Sequence, residues 1–265
     1  MNPGRLSLLM RVLGVRHPGG GTCGLLAERC DADGHELVEW IPGAGEPMPA
    51  PPSEFDAVAV FGGGMNVRDV ERLPWLRAEI ELLRDVLQEG VPVLGVCLGA
   101  QLLAAASGAE VRRSPSPEIG WFDVARTPEG ELDPLVGRLP GRFLAYEWHS
   151  YTFALPAGSV MLARSAACPQ AFRLGESAWG VQFHPEVVPE IVREWALDYE
   201  SDADAIAMGF DPGEHITEAA ERLPVWMEIG RTLFDGFLTA ASAAPRARAP
   251  LAAARSAQDP PHLPG

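Results

Sequence analysis

Apolar residues recur along this chain in two rhythms. Met10–Arg16, Phe55–Phe61 ("FDAVAVF") and Val91–Val96 ("VPVLGV") are short, almost unbroken apolar runs, the pattern of strands buried on both faces. His35–Ile41 alternates and predicts another strand. Between these runs the spacing turns helical. Cys23–Cys30 follows a glycine-rich turn, "HPGGGTCG". Leu76–Gln88 has Pro74 near its start and Gly90 after its end, and a third helix begins at about Leu98. "PGAGEPMPAPPSE" reads as a proline-rich surface loop. The order β-α-β-loop-β-α-β-α predicts a parallel sheet covered on both faces, with any chemistry beyond the carboxyl ends of its strands.

After Gly108 the rhythm shortens. Val111–Arg113, Gly120–Ala125, Phe143–Tyr146, Val160–Ser165, Ala171–Leu174 and Ala178–Phe183 predict short strands with close turns, antiparallel additions to the sheet. Val188–Tyr199 and Ile216–Ala241 predict helices, joined by an acidic segment of undecided structure, "ESDADAIAMGFDPGEH". The chain thus reads as one α/β domain over residues 1–242. From Ala243 the composition of Ala, Pro, Arg and Ser predicts a disordered tail over 243–265.

The candidate chemistry lies where strands end. "VLGVCLGAQ" places Cys97 between a strand and a helix. That turn lifts a thiol into the open, and the helix N-terminus offers unpaired N–H groups and a partial positive charge that favours thiolate. The Leu98 N–H is placed to meet a developing oxyanion, and Gln101 lies one helical turn on, facing the same pocket. A buried structural cysteine at a tight turn is the plainer alternative. "WGVQFHPEV" is a strand ending in His184-Pro185-Glu186, where residues i and i+2 face the same way and a carboxylate can hold the imidazole in one tautomer. The alternative there is a surface histidine beside an ordinary acid. Gly62–Gly64 end another parallel strand, either as a backbone N–H donor loop or as a simple turn.

Composition narrows the choices. The formal net charge is −15 over 265 residues, which argues against nucleic acid and anionic membranes as partners. All 21 basic residues are arginine, so Schiff-base, pyridoxal-phosphate and Walker-type lysine chemistry is excluded. The four cysteines form no CxxC pair, and a metal centre is not expected. No signal-peptide pattern or membrane-length apolar run is evident. Free thiols and a cytoplasmic setting are expected.

Taken together, "FGGG", "GVPVLGVCLGAQLLAAASG" and "GVQFHPEV" resemble the class I glutamine amidotransferases of Cys-His-Glu type. The cysteine and histidine stand roughly ninety residues apart, as in that family, and the likeness runs from about Met10 to Val188 through "GAEVRR", "IGW" and "EWHSYTF". The nearest likeness is to stand-alone proteins similar to the amidotransferase domain of GMP synthase. The resemblance implies a three-layer α/β/α, flavodoxin-like fold with a mostly parallel mixed sheet and no cofactor. It implies Cys97 as nucleophile, His184 as base and acid, Glu186 as its orienter, and the N–H groups of Gly63 and Leu98 as oxyanion donors. Gly62, Gln101, His149, Ser150 and Tyr151 are expected to line the substrate pocket. Two departures stand out. Gly62-Gly63-Gly64 replaces the common Gly-Gly-Pro, which loosens the oxyanion loop, and His149-Ser150-Tyr151 replaces His-Gly-Asp, which removes a carboxylate. The implied substrate is glutamine or a γ-glutamyl conjugate, with ammonia passed to a separate synthetase partner. A free-standing γ-glutamyl hydrolase, a non-catalytic module on the same fold, and a chaperone- or deglycase-like relative are the alternatives; the intact Cys97, His184 and Glu186 disfavour the last two.

Overall fold

Strand residues that are apolar on both faces must be covered on both faces, and a computed structural model, which describes residues 9–19 and 22–244, shows how. β1 (Arg11–Val15), β2 (Glu36–Trp40), β3 (Ala57–Val60), β4 (Val93–Val96) and β9 (Ala178–Val181) run parallel in the order β2-β1-β3-β4-β9. Every residue of β3, β4 and β9 is buried. α1 (Gly24–Asp33) and α2 (Pro74–Glu89) are crossovers between the parallel pairs β1–β2 and β3–β4, and α3 (Leu98–Ala106) leads out of β4. α1 and α2 stop at Gly34 and Gly90, each left-handed, as the C-terminal glycines of helices commonly are.

The remaining strands continue the sheet antiparallel from β9, in the order β8 (Pro169–Leu174), β7 (Ser159–Arg164), β5 (Val111–Arg126) and β6 (Arg142–Phe153). The sheet curls back on itself, since the His184 N–H just beyond β9 donates to Tyr146 O of β6 at 2.9 Å. Two predicted strands prove to be one. Val111–Arg113 and Gly120–Ala125 both belong to β5, whose register shifts between Arg113 and Glu118. Pro115 and Pro117 lie in that irregular stretch, where proline's missing N–H is tolerated. β6 also extends well past the predicted Phe143–Tyr146 because it pairs with β5 along almost its whole length.

A short helix, α4 (Pro128–Glu131), follows β5. α5 (Pro189–Leu197) follows β9, and the acidic segment folds into a 3-10 turn at Tyr199–Ser201 and α6 (Ala203–Ala207), capped by the Asp202 side chain. α7 (Pro212–Ala243) is longer than predicted. It is a core element first: Leu223, Trp226, Leu233, Phe234 and Phe237 are buried, with Trp226 packed against Trp121, Phe143 and Phe183. The expected tail, beyond residue 244, lies outside the described residues. No helix among the described residues is long and apolar enough to cross a membrane.

Candidate active site

Cys97 caps the junction of β4 and α3 with φ 50° and ψ −107°, the one non-glycine at positive φ among the described residues. A side chain held there costs about 1–3 kcal/mol, and persists only where its surroundings fix it. Two glycines permit that fixing. A Cβ on Gly99 would lie 2.0 Å from Val60 O, and one on Gly95 would lie 2.5 Å from Gly99 O. The helix start therefore presses against β3 and β4, and the thiol is turned out into a cavity of about 560 Å³. Cys97 N donates to Val181 O at 2.8 Å, and Sγ lies 3.8 Å from Trp148 O.

His184 and Glu186 follow β9 at the same end of the sheet. His184 Nδ1 is 2.8 Å from Glu186 Oε1, and both side chains are buried. That bond leaves Nε2, buried and without a conventional hydrogen-bond partner, as the nitrogen available to Cys97. Burial lowers the His184 pKa, but Glu186 and Cys97 outweigh it, and the imidazole is held well above its ordinary value. Three elements fix this segment. Leu25 N of α1 donates to Glu186 O at 3.0 Å, Trp226 Nε1 of α7 donates to His184 O at 3.0 Å, and Trp195 of α5 meets the His184 ring edge-on at 4.7 Å. Gly24 and Gly230 allow the two helices this approach, since a Cβ on either would collide with the backbone of Glu186 or Pro185.

Gly62 and Gly63 follow β3 and complete the constellation. A Cβ on Gly62 would lie 2.7 Å from His184 Cε1 and 3.5 Å from Cys97 Cβ. Gly63, Leu98, Gln101, His149, Ser150 and Tyr151 all line the cavity with Cys97 and His184. Several of their side chains are already tied. Gln101 Nε2 donates to Tyr151 O at 2.9 Å, and Ser150 Oγ donates to Asp204. His149 Nδ1 lies 3.1 Å from Tyr151 O, while Nε2 lies 3.2 Å from Glu118 and 3.3 Å from Glu147. Burial lowers the His149 pKa, yet the two glutamates raise it to about 10; burial lifts Glu147 to about 7 against the pull of His149.

Glu118, His149 and Cys168 bring their ligating atoms within 4.8 Å of one another, the one grouping among the described residues with a metal-like donor set. Glu118 Oε2 already accepts from Gln170 Nε2 at 2.8 Å, Ser165 Oγ at 3.1 Å and Cys168 Sγ at 3.4 Å. Glu118, Ser165, Cys168 and Gln170 thus form one hydrogen-bonded cluster, with His149 Nε2 of β6 set against its carboxylate at 3.2 Å.

Two contributions escape the sequence reading. His17, at the carboxyl end of β1, packs against Gly63. The segment 198–204 covers the cavity with Asp198, Asp202 and Asp204, and Trp148 Nε1 donates to Asp202 at 3.0 Å. The first was legible only as one more histidine at a strand end, and the second carries no sequence signal beyond acidity.

The chain matches the family described as glutamine amidotransferase class-I over residues 36–194. It is 33% identical over 187 residues to the glutamine amidotransferase-like protein YfeJ of Salmonella typhimurium, covering 69% of this chain and 78% of that protein. It is 36% identical over 177 residues to a glutamine-hydrolysing GMP synthase subunit from Ignicoccus hospitalis, covering 64% and 85%. The GMP synthase of Aeropyrum pernix is 36% identical over 161 residues, but there the chain spans 30% of the relative's length. Among solved structures, a glutamine amidotransferase from Thermotoga maritima superposes with a TM-score of 0.78 at 28% identity, over 86% of this chain and 98% of that one. Sequence match, strand-end geometry and shared fold agree: the chain belongs to the class I glutamine amidotransferase family.

Proposed function

We propose that the protein hydrolyses the side-chain amide of glutamine through a Cys97 thioester and passes the ammonia to a separate synthetase. The observation that carries this reading is the convergence of Cys97 and His184, from the ends of β4 and β9, on one cavity, with Glu186 at 2.8 Å from His184 Nδ1 and Nε2 left for Cys97. The Cys97 thiolate attacks the amide carbon, and the carbonyl oxygen takes up negative charge facing the N–H groups of Gly63 and Leu98. The carbon–nitrogen bond then breaks as the His184 imidazolium gives its proton to the leaving nitrogen. Water attacks the thioester with its proton passing to His184, the carbon–sulfur bond breaks, and glutamate leaves with the thiolate restored. Glu186 holds His184 throughout. Asp202, which accepts from Trp148 Nε1, supplies carboxylate charge at the cavity where the expected His-Gly-Asp is absent, a fit for the ammonium of glutamine, whereas Asp204 is already paired with Arg113. A synthetase partner is supported by the relatedness to a protein named as part of a GMP synthase.

One observation favours a second reading, hydrolysis of larger γ-glutamyl amides. The cavity, about 560 Å³, extends past the thiol to Trp148, Trp195 and Asp198. The test is glutamate release by the purified protein, with Cys97→Ala as blank. Release from L-glutamine that vanishes in the variant is the expected result. Release from γ-glutamyl dipeptides alone selects the second reading, and release that persists in Cys97→Ala overturns both.

A further inference from the structure

The Gly62–Gly63 peptide is held from behind by a buried ion pair. Gly62 O accepts from His17 Nδ1 at 3.0 Å, and His17 Nε2 lies 3.1 and 3.0 Å from the two oxygens of Glu79. Both side chains are fully buried. One ring nitrogen meets a carbonyl and the other a carboxylate. Two acceptors satisfy both nitrogens at once only if the ring is doubly protonated. Burial lowers the His17 pKa, but Glu79 and the backbone carbonyls outweigh it and the net shift is upward.

An ion pair in a dry core is a costly filler, and an apolar pair of the same volume would pack as well. Its position gives it a task. Three consecutive glycines have no side chain with which to fix their own peptide planes, and a Cβ on Gly64 would meet nothing within 4 Å. A trans peptide is planar, so the Gly62 carbonyl and the Gly63 N–H point in opposite directions. With Gly62 O drawn to His17, the Gly63 N–H faces away from His17. Gly63 lines the cavity, and a Cβ on it would lie 2.7 Å from His17 Cβ, so His17 packs directly against Gly63 and leaves no room for a side chain there.

The geometry points to His17 and Glu79 as a positioning pair that orients the Gly63 N–H for oxyanion stabilisation at Cys97. This rests on the thioester reading above. The pair touches no substrate and acts through one peptide.

The test compares wild type, His17→Ala and His17→Asn for γ-glutamyl amide hydrolysis and for alkylation of Cys97 by iodoacetamide. Loss of one oxyanion donor lowers turnover by roughly 10²–10³-fold in other enzymes. His17→Ala is expected to lose about a hundredfold in kcat with KM within about threefold. Alkylation, which displaces iodide and develops no oxyanion, is expected to stay within about twofold of wild type. Asparagine keeps an N–H near the position of Nδ1, and His17→Asn is expected to recover at least about tenfold in kcat. The inference is overturned if kcat of His17→Ala stays within about threefold of wild type, if alkylation falls in step with kcat, or if asparagine does no better than alanine. Wild-type protein that alkylates at Cys97 but hydrolyses no γ-glutamyl amide overturns the thioester reading and the inference with it. Active wild type with an unimpaired His17→Ala removes the inference alone.

Discussion

Four cysteines share this chain, and their surroundings separate them. Burial pushes the Cys23 thiol far up, with Glu39 adding to it; burial lifts Cys30 to about 11 and Cys168 to about 12. Only Cys97 lines the cavity, at a helix start and beside His184. Mass spectrometry after brief iodoacetamide treatment at neutral pH should therefore find one modified cysteine, Cys97. Modification spread evenly over Cys30 and Cys168 would refute that ranking. The same logic grades the other two residues. In the proposed mechanism His184 moves protons in both half-reactions, so His184→Ala is expected to cost at least about a thousandfold in kcat/KM. Glu186→Ala, which removes only an orienter, is expected to cost at least about tenfold less than that. Equal losses would mean that Glu186 does more than hold the ring.

At the scale of elements, α7 braces the site from outside the region of resemblance. Trp226 Nε1 reaches His184 O, and the indole is otherwise buried among aromatic rings. Trp226→Phe keeps most of the apolar contact but strands a buried carbonyl, which costs about 1–3 kcal/mol. Urea unfolding should show that loss with an unchanged slope, together with a smaller fall in kcat than His184→Ala gives. Unchanged stability would show that the carbonyl finds another donor. This brace was not legible in the sequence, because a tryptophan on a helical apolar stripe looks the same whether it fills space or donates a bond. The strand-end residues were legible for the opposite reason. Cys97, His184 and Gly62–Gly63 end apolar runs, and in a parallel sheet the run's end fixes the side chain's place. β5 and β6 read poorly because Pro115, Pro117, Glu147 and His149 interrupt the apolar pattern, whereas the chain places the prolines in an irregular stretch and the charges in a buried network. Ser150 meets Asp204 across 54 residues, a contact that periodicity does not register.

For the whole molecule, the buried charges set how stability answers to pH. His17, His149 and His184 all have raised pKa values because burial, which alone would lower them, is outweighed by acidic partners. The native state therefore keeps protons that the unfolded chain releases above its ordinary histidine value of 6.5. That contribution is complete below 6.5 and is lost as pH rises towards the His149 value of about 10. Glu147 acts in the same sense: its raised value of about 7 favours the native state at low pH and ceases to do so as pH passes through it. His215 has the opposite sign, since burial lowers its value, and its contribution is lost on acidification. The acidic exterior adds little to the alkaline trend, because exposed carboxylates are already ionised at neutral pH. Between pH 6.5 and 9.5 the melting temperature should fall by at least about 5 °C, on the scale of 2–4 °C per kcal/mol for a chain of this size. The fall should be shallower in His149→Gln, whatever that variant's absolute stability, because one of the retained protons is gone. A melting temperature that holds or rises over this range would mean that His149 and Glu147 do not share a proton in the folded protein. The network around His149 would then be held by hydrogen bonds between neutral groups.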